Sequence, residues 1–188
     1  FGAINKNRYA RIFISGSVSL KKGITELLSN CIIEGMEDAT IIMPQGSYLS
    51  VNAASLSIKN VKFKCDNGPS QEKNMQNLFK LENAVLLMED CDISANLGIN
   101  GCVFDAGLSV LTFKNCVFYV TARSYASVLS DNSSRLFVSD CMWNTTSGTS
   151  VGFSCREGEM DVKNSTFTVS GNMGRIAELF GVKGIFNQ

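Results

Sequence analysis

Leu111-Thr112-Phe113-Lys114-Asn115-Cys116-Val117-Phe118 reads as two short strands joined by a bend. Apolar and polar residues alternate with period two on either side of Asn115, as they do in half-buried strands. The alternation skips a beat at Asn115, because Phe113 before it and Cys116 directly after it both take the inward phase. Asn and Asp suit such a bend: they tolerate left-handed backbone and bond to nearby backbone groups.

The same phrase returns along the chain at Leu56–Phe63, Leu86–Ile93, Leu136–Trp143 and Met160–Phe167, and an earlier copy reads Leu28–Ile33 around Asn30. The pivots Asn30, Asn60, Asp90, Asn115, Asp140 and Asn164 lie 30, 30, 25, 25 and 24 residues apart. A fixed period in this range is the signature of a solenoid. A third apolar segment sits eleven residues before the later pivots, at Leu49, Phe79, Phe104, Leu129 and Phe153. Each turn therefore carries three short strands and three corners. A leucine-rich repeat would need denser leucines and usually a helix per repeat; these units are β-branched, aromatic and Ser/Thr-rich.

The expected fold is all-β: a single-stranded right-handed parallel β-helix of about six coils with three strands per coil. Coils would stack at roughly 4.8 Å, giving a rod on the order of 29 Å long. Like residues then form columns. Phe63, Ile93, Phe118, Trp143 and Phe167 make one, and Cys31, Val61, Cys91, Cys116, Cys141 and Ser165 another. The six pivots would form an amide ladder at a corner.

The opening, Arg11-Ile12-Phe13-Ile14-Ser15-Gly16-Ser17-Val18-Ser19-Leu20 with Gly23-Ile24, Ile33-Glu34-Gly35 and Ala39-Thr40-Ile41-Ile42, resembles the first coils of right-handed parallel β-helices of the pectin-lyase-like superfamily. The resemblance spans about residues 10–186. It implies an architecture shared by polysaccharide lyases and hydrolases, tailspikes and surface adhesins, and a fold alone does not choose among them.

With 188 residues, 45% apolar and 18% charged, the chain can bury a core of its own. It reads as one domain, 1–188. Residues 1–25 lead into the first coil, 66–76 form a polar loop insertion containing Pro69, and the C-terminal end is expected to continue or to be capped by a partner. The 17 basic and 17 acidic residues balance, so nothing draws the chain toward nucleic acid. No apolar run approaches a membrane span, and no signal peptide can be read from the residues that open at Phe1.

Seven cysteines and no histidine narrow the chemistry. In-register neighbours about 4.8 Å apart are too distant for a disulfide, so the cysteines read as buried thiols. No metal or cofactor is expected: a straight stack does not converge into a tetrahedron, and Ser-His or Cys-His nucleophile pairs are excluded. The Asp cluster, Gly-His and Arg-Lys elements of pectin hydrolases, which the resemblance would bring, are absent.

Three constellations remain. Lys80 and Asp105 share an outward column, with Asp131, Glu82 and Arg156 one or two positions further along neighbouring coils; together they are the candidates for acid–base work on a sugar. Lys59, Glu89 and Lys114 alternate in sign along the rod and read as a register-fixing ladder. Leu87, Val117, Tyr119, Phe137 and Met142 all fall on the outward phase, where an apolar patch marks a contact surface. Sequons at Asn132, Asn144 and Asn164 recur as expected by chance in a Ser/Thr/Asn-rich chain.

The expectation is a non-enzymatic structural or binding module of a secreted or cell-surface microbial protein. Its partner would be a protein, a second copy or a polysaccharide. The alternative is a polysaccharide lyase or glycoside hydrolase acting on an acidic polysaccharide.

Overall fold

The computed structural model describes residues 9–66 and 76–187, with the backbone alone at Gln76, Ser130 and Asp131. The greater part of the 66–76 insertion lies outside the described residues.

The first coil is β1 (Tyr9–Ile14), β2 (Ser17–Ser19) and β3 (Gly23–Leu27), and the second β4 (Asn30–Gly35), β5 (Thr40–Ile42) and β6 (Ser47–Asn52). The third holds β7 (Ser55–Lys59), β8 (Lys62–Asp66) and β9 (Gln76–Glu82), and the fourth β10 (Val85–Glu89), β11 (Asp92–Asn96) and β12 (Asn100–Gly107). Then come β13 (Val110–Lys114), β14 (Val117–Thr121) and β15 (Tyr125–Asn132), followed by β16 (Arg135–Ser139), β17 (Met142–Thr146) and β18 (Thr149–Arg156). The seventh coil is β19 (Glu159–Lys163), β20 (Thr166–Ser170) and β21 (Met173–Phe180), after which β22 (Lys183–Asn187) begins another.

Every third strand pairs in parallel with its equivalent one coil away. This gives a first sheet of 8 strands (β1 to β22), a second of 7 (β2 to β20) and a third of 7 (β3 to β21). The chain is thus a parallel β-solenoid of about 7 turns with three strands per coil. At about 4.8 Å per coil the stack is about 34 Å long. Among the described residues no helix is long and apolar enough to cross a membrane.

The turn count exceeds the six copies of the phrase because the first two coils do not carry it in phase. Cys31 pairs with Leu56, and Ile33 with Ile58. Cys31 therefore belongs to the column of Leu56, Leu86 and Leu111, not to that of Cys91. Asn30 is no pivot. It starts a strand, and its Oδ1 accepts the Ser55 backbone N–H of the next coil at 3.0 Å. The pivot slot of that coil is held by Gly35, where a Cβ would lie 1.8 Å from the Asn60 carbonyl oxygen, so only glycine fits. Ile33-Glu34-Gly35 stands 25 residues before Ile58-Lys59-Asn60, a spacing the apparent Leu28–Ile33 copy obscures.

The true pivots bend as their chemistry suggests. Asn60, Asp90, Asn115, Asp140 and Asn164 have φ of 55, 54, 50, 56 and 46°. The side chains tie the ladder: Asn115 Nδ2 donates to Asp90 Oδ1 at 2.7 Å, and Asn164 Nδ2 to Asp140 Oδ1 at 3.4 Å. The next residue completes the corner. The thiols of Cys91, Cys116 and Cys141 donate to the carbonyls two residues back at 3.1–3.2 Å, and Ser165 does the same at 2.7 Å. Cys116 N–H in turn reaches Cys141 Sγ at 3.4 Å. All seven cysteines are buried.

A second corner, between the third sheet and the next coil, uses the same device without the Asn signature. Ala53, Asn83, Leu108, Ser133 and Glu157 take φ of 48–58°. The following Ser109 and Ser134 donate to Gly107 and Asn132 carbonyls and accept backbone N–H groups from the coil before.

Inside, aromatic rings from all three sheets pack in contact along the axis. Phe79 and Phe104 stack at 4.9 Å, Phe104 meets Phe113 at 4.8 Å, and Phe118 meets Trp143 at 5.0 Å. Such offset and edge contacts add to the burial of the rings themselves. This core fixes the outward side chains on a rigid grid.

Candidate functional site

Register decides which outward residues become neighbours. On the third sheet Asp105 lies directly beside Lys80 in the adjacent coil. Asp105 is half-buried, and its Oδ2 accepts Asn77 Nδ2 at 2.9 Å, which fixes the carboxylate against the sheet. Glu82 occupies the next outward column, with Gly107, Asn132 and Arg156 following in successive coils. Three coil steps put Glu82 and Arg156 about 14 Å apart along the axis. Arg156 instead lies over the Phe180 ring, 5.4 Å from its centroid. The backbone of Asp131 pairs with Ala106 and Cys155, in the column next to Asp105; its side chain lies outside the described residues. The structure therefore brings together Lys80, Asp105 and Asn77, with the Glu82 carboxylate lying over Gly107 beside them, and leaves Arg156 apart.

The charge ladder stands at the edge of the first sheet. Glu89 receives Lys59 at 3.3 Å and Lys114 at 3.2 Å, and Lys59 also reaches Asp90 at 3.8 Å. The hydrogen bonds from Lys114 and then Lys59 hold the Glu89 carboxyl below the usual glutamate range. Its exposure marks it as a surface network that fixes register.

The outward apolar residues fall into two groups on different sheets. Leu87 and Phe137 lie in one column of the first sheet, separated by Thr112. Val117 and Met142 are direct neighbours on the second sheet, and Tyr119 stands beside them with its hydroxyl 3.9 Å from Met142 Sδ. Tyr119 is 52% exposed and Met142 42%. A corner of the coil, occupied by the pivot ladder, separates the groups. Next to Tyr119 a concavity of about 360 Å³ includes Lys62, Lys64 and Ser94.

Sequence reasoning missed the continuation of the Phe137 column. Asp161 follows Phe137, and Ile185 follows Asp161, each 24 residues on. The coil period projected forward from Phe137 would have found both. The polar face of the corner between the first two sheets also forms a 400 Å³ hollow beside Gly35, Asp38 and Lys62, where the second coil takes three extra residues.

No protein-family model matches the chain, and no curated protein matches it in sequence.

Proposed function

We propose that the protein is a non-enzymatic binding and assembly module of a secreted or cell-surface microbial protein, built as a β-helix of the pectin-lyase-like kind. The observation that carries this reading is the Val117–Tyr119–Met142 platform. Its side chains stand on a parallel sheet whose register the core fixes, and two of them are about half exposed. Exposed apolar surface of this kind gains free energy when a partner covers it. Rigidity also limits the ordering cost of association. A second copy or a protein surface with a complementary apolar face fits it.

A polysaccharide lyase or glycoside hydrolase acting on an acidic polysaccharide is the second reading, and the Lys80–Asp105 pair favours it. That pair offers one base and one acid, without a further cation or carboxylate within one coil step on its column.

Light scattering over a range of protein concentrations tests the first reading. The mass rises with concentration for the natural protein, and Tyr119→Ser combined with Met142→Ser keeps it monomeric. One shared mass at all concentrations would rule out assembly through the platform. Incubation with a panel of acidic polysaccharides tests the second: release of unsaturated or reducing ends that Asp105→Ala or Lys80→Ala abolishes would make the protein an enzyme.

A further inference from the structure

We propose that the first sheet carries, at its last coils, a binding site for a single neutral sugar ring, centred on Phe137 and Asp161. The proposal rests on the reading of the solenoid as a binding module, but it uses a different sheet from the Tyr119 platform.

A pocket of about 350 Å³ opens there between two outward columns. One column runs Phe137, Asp161, Ile185; the other runs Arg135, Glu159, Lys183. Phe137 and Ile185 are 41% and 61% exposed, so the apolar ends of the first column are available to a ligand. The volume lies within the range of small-molecule sites.

Asp161 sits between the apolar walls in an unusual state. Its Oδ2 accepts Lys163 Nζ at 2.8 Å, while its Oδ1 is shut away from solvent with no donor. A buried acceptor without a donor is unfavourable and rare in native structures. The carboxylate torsion is broad and roughly two-fold. A small rotation therefore presents the orphaned oxygen to a donor inside the pocket while Lys163 keeps the other oxygen.

The remaining groups select the ligand. Lys163 and Lys183 oppose a cation, and Glu159 and Asp161 oppose an anion. A neutral ligand remains, and it must donate to Asp161, accept from Lys183 and cover Phe137 with an apolar face. A pyranose ring does all three: its hydroxyls donate and accept, and its C–H face lies flat on an aromatic ring.

The test uses saturation-transfer NMR and calorimetry on the intact protein. Probes are the methyl glycosides of glucose, galactose, mannose and N-acetylglucosamine, with glucuronic acid and arginine methyl ester as charged controls. At least one neutral glycoside binds at millimolar concentration. Asp161→Leu, which removes the acceptor, and Phe137→Ala, which removes the wall, each weaken binding by about tenfold or more. Tyr119→Ser leaves it unchanged. Should Phe137→Ala fail to fold by circular dichroism, Ile185→Ala takes its place. Absence of binding by every neutral probe, binding by both variants as tight as that of the natural protein, or preference for glucuronic acid or the arginine ester overturns the proposal. Light scattering of the Tyr119 and Met142 variants reads the broader function separately, so the two can fail independently.

Discussion

Replacing Phe104 with alanine tests whether the rings form one continuous core. The side chain is fully buried, and ring centroids of Phe79, Phe113 and Phe118 stand 4.9, 4.8 and 6.0 Å away. Truncating a buried Phe to Ala costs about 3–5 kcal/mol, depending on how far the site collapses. Here collapse is resisted, because the coils above and below are held in register by parallel strands. Each of the three ring contacts adds about 0.5–1.5 kcal/mol beyond area burial, so the loss lies at the upper end, about 5 kcal/mol. Tyr119, 52% exposed on the outward face of the second sheet, should lose only about 1 kcal/mol on the same change, since its ring is only half withdrawn from water. Guanidinium unfolding followed by the fluorescence of the single, buried Trp143 measures both. A cost below about 2 kcal/mol for Phe104→Ala, or one no larger than that of Tyr119→Ala, refutes the ring stack. If Phe104→Ala does not fold, Phe104→Leu keeps the comparison open with a smaller loss.

At the pivot, Asn115 has φ of 50° and bonds to Asp90 at 2.7 Å. Asn115→Val should cost about 2 kcal/mol or more from left-handed strain and the lost bond, and Asn115→Gly less, by urea unfolding; the reverse order would contradict the corner assignment. Glu89 is held below the ordinary value of 4.5, so its contribution to stability is complete above that pH and is lost as pH falls beneath it. A Glu89→Gln variant should show a flatter acid limb in thermal melts between pH 5 and 3, and an unchanged limb would show that Lys114 and Lys59 do not engage it. Cys116 is pulled down by its bond to Cys141 but pushed further up by Cys91 and burial, to about 12, and the Cys141 thiol is raised by its bond to Cys116 and by burial. Iodoacetamide at pH 8 should therefore leave both unmodified in the native protein and react fully in denaturant. Rapid native labelling of either would place that thiol outside the core.

The solenoid was legible because the coil repeats its chemistry, not only its hydrophobicity. From Asn60 onward each pivot is Asn or Asp at positive φ, and the columns through Phe118 and Phe113 follow directly. The second coil is hidden in the sequence because Leu28–Ile33 imitates the phrase while Gly35 holds the slot. Glycine was chosen there for space, and a missing side chain gives a pattern search nothing to align. The first coil and the second corner were equally hidden, since Leu108 and Glu157 adopt left-handed backbone that neither residue type advertises.

The surface was less legible than the core. Lys80 and Asp105 were placed side by side correctly, as were Val117 and Met142. Alternation shows that a residue points outward, but not which corner separates it from another. Leu87 and Phe137 consequently stand apart from Tyr119 and Met142. Asp161 drew no notice because one acidic residue on a polar strand is ordinary; only its orphaned oxygen and the pocket beside it distinguish it.

The coil register supports every column, corner and surface described above, and nuclear Overhauser contacts in isotopically labelled protein measure it directly. Side-chain contacts should link Met88 to Phe113, Phe113 to Val138 and Val138 to Val162, and should join Cys31 to Leu56. Contacts confined to residues a few positions apart, or a link from Cys31 to Val61, would contradict the stacking of coils on which the account depends.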